Sequence, residues 1–294
     1  MAEADAFRLD RARVRASFER ASARYESAAR LQARVGEELL TRLEAFRFRP
    51  RVVLDLGAGT GRLARELKRR YPRALVVALD LSAGMLREAR RHSRPWRPLA
   101  RVCADAPRLP LAAASVDLVF SNLMLQWCAP PDAVFAEVRR VLTPEGFFAF
   151  STFGPATLAE LRSAWAQADG LSHVHEFADV HDVGDALVRA GLAEPVLDVD
   201  RVELYYPDVL ALMRELKSLG AHNAAAGRPR TLLARAHLER VRAGYEPFRR
   251  AAGLPATFEV IYGAAWGAPG RTAAAVQGGE ARIAPGSITR AGRR

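Results

Sequence analysis

Two cysteines in 294 residues leave no material for a disulfide framework. Cys103 and Cys128 both sit in apolar contexts, the setting of core thiols in a reducing compartment. No apolar run reaches the ~18 residues that a membrane span needs. The stretch from Met1 to Asp10 is acidic and mixed and carries no signal-peptide core, so a cytoplasmic protein without a membrane segment is expected. No aromatic-interleaved basic stripe is present, which removes the main reason to expect a nucleic-acid partner. No catalytic triad stands out. His173 and His175 in a loop, with His181 and Asp182 beyond, lack metal-ligand spacing, so no metal is expected. No internal repeat is visible.

Arginine and hydrophobic residues are plentiful. Half the chain is hydrophobic, enough for a sizeable core, and the formal net charge is +11. From Gly267 to Arg294 there are five arginines, one glutamate and six glycines without apolar periodicity. That composition predicts a disordered basic tail. Elsewhere the arginines are spread along helical patterns, for example Arg8, Arg11, Arg15, Arg20 and Arg24. They suit a solvated face or electrostatic steering of an acidic partner.

Periodicity divides the chain. Residues 6–46 read as amphipathic helix, with Leu31, Val35, Leu39 and Leu43 at helical spacing. Strands are predicted at 52–56, 75–80, 100–104, 116–121 and 146–152, and helices at 61–70, 82–92, 131–142 and 155–169. Such alternation implies a parallel sheet covered on both faces. Thr143-Pro144-Glu145-Gly146 reads as a turn ahead of the fifth strand. Residues 196–205 and 257–264 alternate as strands, and the 45 or so residues between them are helical. An insertion of that length reads as a lid over the ligand edge of the sheet.

Val52-Val53-Leu54-Asp55-Leu56-Gly57-Ala58-Gly59-Thr60-Gly61 is a buried strand running into a glycine loop that opens a helix. A dinucleotide fingerprint counted from Gly57 wants glycine at position 62, where Arg62 stands. Asp55, just before the loop, would repel a pyrophosphate and attract an ammonium group. The run D-x-G-x-G-x-G resembles the first motif of the class I S-adenosylmethionine-dependent methyltransferases, whose cofactor carries an ammonium and no phosphate. That resemblance implies an α/β fold: a class I, Rossmann-like seven-stranded sheet with N-terminal helices and a helical lid before the last strand. It implies S-adenosyl-L-methionine held by Asp55, Gly57, Ala58 and Gly59. Asp80, at the tip of the second strand, would accept the ribose hydroxyls, with Leu81 and Met85 as apolar cover for the adenine. Asp105, between Ala104 and Ala106, would accept the adenine amino group, and Asn122 and Leu123 would lie beside the reactive methyl.

Other segments resemble one family in particular: Phe18 to Glu26, Asn122 to Trp127, Phe150 to Pro155, His181 to Leu187, Leu216 to Asn223 and Leu254 to Val260. Over roughly residues 15 to 266 the chain is similar to the BioC family, malonyl-acyl-carrier-protein O-methyltransferases of biotin synthesis. The resemblance implies methyl esterification of malonyl-acyl carrier protein, or malonyl-coenzyme A, and an acidic carrier protein as partner. It divides the chain into an N-terminal helical segment (1–50), a cofactor-binding core (51–207), a lid (208–252), a final strand (253–266) and the tail (267–294). Among the residues themselves, Tyr25 could close over the cofactor, and His181, His222, Asn223 and Arg228 could bind the substrate carboxylate or the carrier arm. Three alternatives share the scaffold: an arginine-hydroxylating assembly factor, another small-molecule or RNA methyltransferase, and a cofactor-binding protein without turnover.

Overall fold

Apolar runs with acidic tips become the centre of the sheet. The computed structural model describes residues 9–46, 48–94, 96–171, 173–221 and 235–267. Strands β1 (Val52–Leu56), β2 (Leu75–Asp80), β3 (Ala100–Cys103), β4 (Val116–Asn122), β5 (Leu142–Phe153), β6 (Ala193–Tyr206) and β7 (Leu254–Trp266) form one seven-stranded sheet in the order β3-β2-β1-β4-β5-β7-β6. The first five strands are parallel, and β7 runs antiparallel between β5 and β6. The sheet is therefore mixed, whereas strand–helix alternation alone implied a parallel one. The chain reverses after β6, the edge strand. The strand order reverses between β1 and β4, and this places a crevice at their carboxyl ends.

Helices α1 (Arg11–Ala28), α2 (Arg30–Arg42), α3 (Arg62–Arg70), α4 (Ala83–Arg91), α5 (Asp132–Val141), α6 (Ala159–Asp169), α7 (Val180–Arg189), α8 (Val209–Ser218) and α9 (Arg235–Tyr245) surround the sheet. Ser82 caps α4, its hydroxyl accepting from Met85 N–H at 3.2 Å. Along α2 and into the turn that follows it, Leu31, Val35, Leu39 and Leu43 are buried, as their spacing predicts. The expected turn at Thr143–Gly146 is instead a bulge within β5. Leu142 pairs with Val116 and Phe147 with Leu118, so the four intervening residues face Asp117 alone. Helix α7 has no counterpart among the periodicity-based expectations. It is short, carries Gly184 at its middle and buries only Val183, Ala186 and Leu187.

The segment between β6 and β7 has two fates. Helix α8 lies against α1 at the ligand edge. Helix α9 packs on α6, where Gly244 permits close approach, and buries Val241 and Tyr245. The buried Tyr245 hydroxyl donates to the Pro255 carbonyl at 2.8 Å. Tyr245→Phe leaves that carbonyl without its donor and is expected to destabilise the fold by about 1–3 kcal/mol, read by urea unfolding. Unchanged stability would show that this bond contributes nothing to anchoring α9. Residues 222–234, which include His222, Asn223 and Arg228, and the tail from residue 268 lie outside the described residues.

Candidate cofactor and acyl site

The glycine loop after β1 turns back on β2. Gly57 and Ala58 N–H both donate to the Leu79 carbonyl at 2.9 Å. Gly57 (φ 80°), Gly59 (φ 54°) and Gly61 (φ 73°) all adopt the left-handed backbone that favours glycine. A Cβ at Gly57 would stand 2.3 Å from Met124 Cγ. Asp80 ties two loops together: Oδ2 accepts from Gly59 N–H at 2.9 Å and Oδ1 from Ser82 N–H at 2.8 Å.

One cleft gathers almost the whole expected cofactor set: Gly57, Gly59, Asp80, Leu81, Met85, Ala104, Asp105, Ala106, Asn122 and Leu123, with Tyr25 over the loop. Asp55 and Ala58 line a smaller adjoining pocket that shares Tyr25, Gly57, Gly59 and Asn122 with it. Asn122 is fixed on both sides, Nδ2 donating to the Gln32 carbonyl at 3.0 Å and Oδ1 accepting from Ser151 Oγ at 2.8 Å. Asp105 is ion-paired with Arg11 at 2.9 Å, so α1 reaches across the expected adenine end. His181 is not brought to the cleft. It lies exposed in the first turn of α7, where its N–H donates to the capping Asp179.

Two strand-tip carboxylates, Asp55 and Asp80, lie close enough at the junction of cleft and pocket for one to raise the other's proton affinity. Asp55 is buried, its Oδ2 has no hydrogen-bond partner, and its pKa is pushed up to about 7 by burial and then by the neighbouring Asp80 carboxylate. Burial also raises Asp80, against the Ser82 and Gly59 N–H groups that favour its charge. Tyr25 is raised by burial and by Asp80. An orphaned carboxylate beside a glycine loop fits a cationic amino group, so S-adenosylmethionine suits the residues present.

The sign of the pH effect follows. A bound ammonium favours ionised Asp55, so binding near pH 7 releases a fraction of a proton. Affinity should fall by up to about tenfold per pH unit below 7. The unliganded protein shows the opposite linkage. Between the ordinary value near 3.8 and about 7 the native state holds a proton that the unfolded chain has lost, so its stability falls as pH rises. Calorimetry in buffers of different protonation enthalpy checks the release, and an affinity independent of pH from roughly one and a half units below neutrality to about one unit above it contradicts it.

A family model described as a methyltransferase domain matches residues 54–150. A relative from Methylovorus sp. (strain MP688), named malonyl-[acyl-carrier protein] O-methyltransferase, is 50% identical over 284 residues, covering 92% of this chain and 93% of that one. A protein of the same name from Laribacter hongkongensis is 52% identical over 270 residues, covering 89% and 91%. The chain belongs to the malonyl-acyl-carrier-protein O-methyltransferase family. Among solved structures, YcgJ protein from Bacillus subtilis matches with a TM-score of 0.57 at 16% identity over 80% of this chain and 99% of that one. The [4+2]-cyclase SpnF matches at 0.50 and 19% identity, over 80% and 81%. At such identities the likeness is one of fold, and a cyclase on the same scaffold shows why fold alone leaves the reaction open.

For this member of the malonyl-acyl-carrier-protein O-methyltransferase family, what sequence patterns missed lies between elements. Glu19 Oε2 accepts from Ser82 Oγ and Gly84 N–H, both at 2.7 Å, and pins α1 to the loop after β2. These bonds, Ser82 first, hold the Glu19 carboxyl below its ordinary pKa. A second, apolar chamber adjoins the cleft. Gln32, Gln126, Trp127, Phe153, Leu219 and Ala221 line both spaces, and Leu158, Phe177 and Phe258 help to close the chamber. His175 lines it too and packs on Trp127 and Phe177, with its pKa down to about 4 through burial and then the nearby Arg162 charge. His173 stacks on Trp165 and pairs with Asp169 at 2.9 Å. Among the described residues no three metal-ligating side chains gather. Legible hints of the chamber were the family-like segments Asn122 to Trp127, Phe150 to Pro155, Leu216 to Asn223 and Leu254 to Val260, which supply Trp127, Phe153, Leu219 and Phe258.

Proposed function

We propose that this chain transfers the methyl group of S-adenosylmethionine to the free carboxylate of malonyl-acyl carrier protein, the ester that begins pimeloyl synthesis for biotin. The apolar chamber that shares Gln32, Gln126 and Trp127 with the cofactor cleft carries the reading on the structural side. The relatives' shared name over about nine-tenths of the chain carries it on the side of descent.

S-adenosylmethionine supplies an electrophilic methyl on a sulfonium. Asp80 would accept the ribose hydroxyls, Asp55 would face the ammonium, Leu81 and Met85 would cover the adenine, and Asp105 would take its amino group. A carboxylate with a pKa near 4 is already ionised at pH 7, so no side chain has to remove a proton. The chain's work is orientation and exclusion of water. Trp127, Phe153, Phe177 and Leu158 dry the chamber, and His175, neutral at pH 7, adds no charge. As the carboxylate oxygen–methyl bond forms and the sulfur–methyl bond breaks, releasing a neutral thioether, both partners lose charge, so a dry, largely apolar wall in which Arg30 neutralises Glu215 favours the transition state over the separated ions. Tyr25, Asn223 and Arg228 remain the proposed closing and substrate-holding residues from the N-terminal helices and the lid.

The rival arginine hydroxylation fits the chamber less well. A guanidinium needs free carboxylates, and the chamber's Glu215 is engaged by Arg30 and Tyr206, each at 2.9 Å. The basic surface suits an acidic carrier protein, with association slowing as salt rises. Among the described residues no helix is long and apolar enough to cross a membrane, and both cysteines are free, which supports a cytoplasmic location. Incubation with methyl-labelled cofactor tests the reading: label should enter malonyl-acyl carrier protein and not acetyl-acyl carrier protein. Equal labelling of both, or of neither, overturns it.

A further inference from the structure

Gln32 stands on α2 where three spaces meet. It lines the cofactor cleft, the apolar chamber and the small pocket that contains Asp55. Its backbone carbonyl is occupied by Asn122, but its side-chain Oε1 is buried without a donor. Asp55 Oδ2, bordering the same small pocket, is in the same condition. Two orphaned acceptors around one pocket are a deficit in a folded protein and call for an explanation. The cation lining that pocket, Arg62, is held by Glu37 at 2.6 Å. An ammonium group has three N–H donors and no acceptor, the complement of what this pocket offers.

We propose that Gln32 accepts a hydrogen bond from the α-ammonium of S-adenosylmethionine alongside Asp55, so that cofactor binding clamps the N-terminal helices onto the strand tips and completes the chamber wall before the acyl substrate enters. The assignment rests on the cofactor reading above and extends it to a residue outside the glycine-loop motif. It makes binding ordered. Gln32, Trp127 and Leu219 are walls of the acyl chamber as well as of the cleft, so a helix α2 loosened by an empty cleft leaves the chamber unfinished.

The experiment compares S-adenosylhomocysteine with its deaminated counterpart, in which hydrogen replaces the α-amino group, on the full-length protein and on Gln32→Leu. Gln32→Glu, which keeps an acceptor, serves as the conservative control, and thermal unfolding verifies that each variant is folded. Calorimetry should show about a tenfold loss of S-adenosylhomocysteine affinity in Gln32→Leu, the scale of one charge-assisted hydrogen bond. The deaminated ligand should change by less than about twofold, and Gln32→Glu should retain most of the affinity. Amide exchange in α2 should slow on ligand binding in the unaltered protein and not in Gln32→Leu. Equal losses for both ligands, or none for either, overturn the Gln32 assignment while leaving the cofactor reading in place. Failure of the unaltered protein to bind S-adenosylhomocysteine overturns that reading and the assignment with it.

Discussion

Asp80→Ala is expected to weaken S-adenosylmethionine binding by about 1.5–3 kcal/mol, the range for a hydrogen bond to a charged group. Two losses combine. On the proposed assignment the ribose hydroxyls lose their acceptor, and the Gly59 and Ser82 N–H groups lose the carboxylate that aligns both loops. The substitution has a second, opposite-signed effect on Asp55. The Asp80 charge is the next cause after burial of that group's raised pKa, so Asp55 should ionise more readily and the pH dependence of binding should move down. Calorimetry at several pH values reads both. Unchanged affinity in a folded variant would remove Asp80 from the ribose site, and an unmoved pH profile would uncouple the two carboxylates.

Gly57→Ala is expected to damage binding and stability together. Its φ of 80° strains any side chain, and the new Cβ would meet Met124 at Cγ, 2.3 Å away, and at Cβ, 2.6 Å away. Those atoms lie near the Met124 backbone, so the side chain cannot swing clear at its flexible end. Left-handed strain and overpacking each cost about 1–3 kcal/mol. Met124 also lines the cleft, so relief would push it into the cofactor's space. A loss of affinity of at least about tenfold is expected, with a lowered unfolding midpoint. Gly170→Ala is the control. It shares the positive φ, at 70°, but nothing lies within 4 Å of its Cβ position, so it should show the strain alone. If the two substitutions cost the same, contact with Met124 is not what requires glycine at 57.

The clustering of the candidate cofactor residues was legible because its determinants are local. β1 and β2 are continuous apolar runs, as doubly covered parallel strands must be. Asp55, Asp80 and the glycines sit at or beside strand tips, where position along the chain fixes position in the crevice. Asn122 and Leu123 were placed for the same reason. The acyl half was not legible in this way. Gln32 and His175 reach the chamber from a helix and a loop whose docking depends on tertiary packing, and a lone glutamine on an amphipathic helix reads as surface. His181 came from resemblance to a family segment. Spacing did not show that the first turn of α7 faces solvent. The bulge at Thr143–Gly146 was read as a turn because its residues are turn-formers, which bulges use as well. Asn223 and Arg228 fall outside the described residues; Asn223 ends the family-like Leu216 to Asn223 run, Arg228 lies beyond it, and both roles remain proposals.

The position of the transferred methyl tests the central claim most directly. After turnover with methyl-labelled S-adenosylmethionine and malonyl-acyl carrier protein, fragmentation of the acylated pantetheine arm in a mass spectrometer locates the label. The account predicts a single methyl ester on the distal malonyl carboxylate, with the thioester intact and the carrier's own side chains unmodified. A methyl on a carrier side chain or on the malonyl central carbon, or no transfer by protein that binds the cofactor normally, would contradict it.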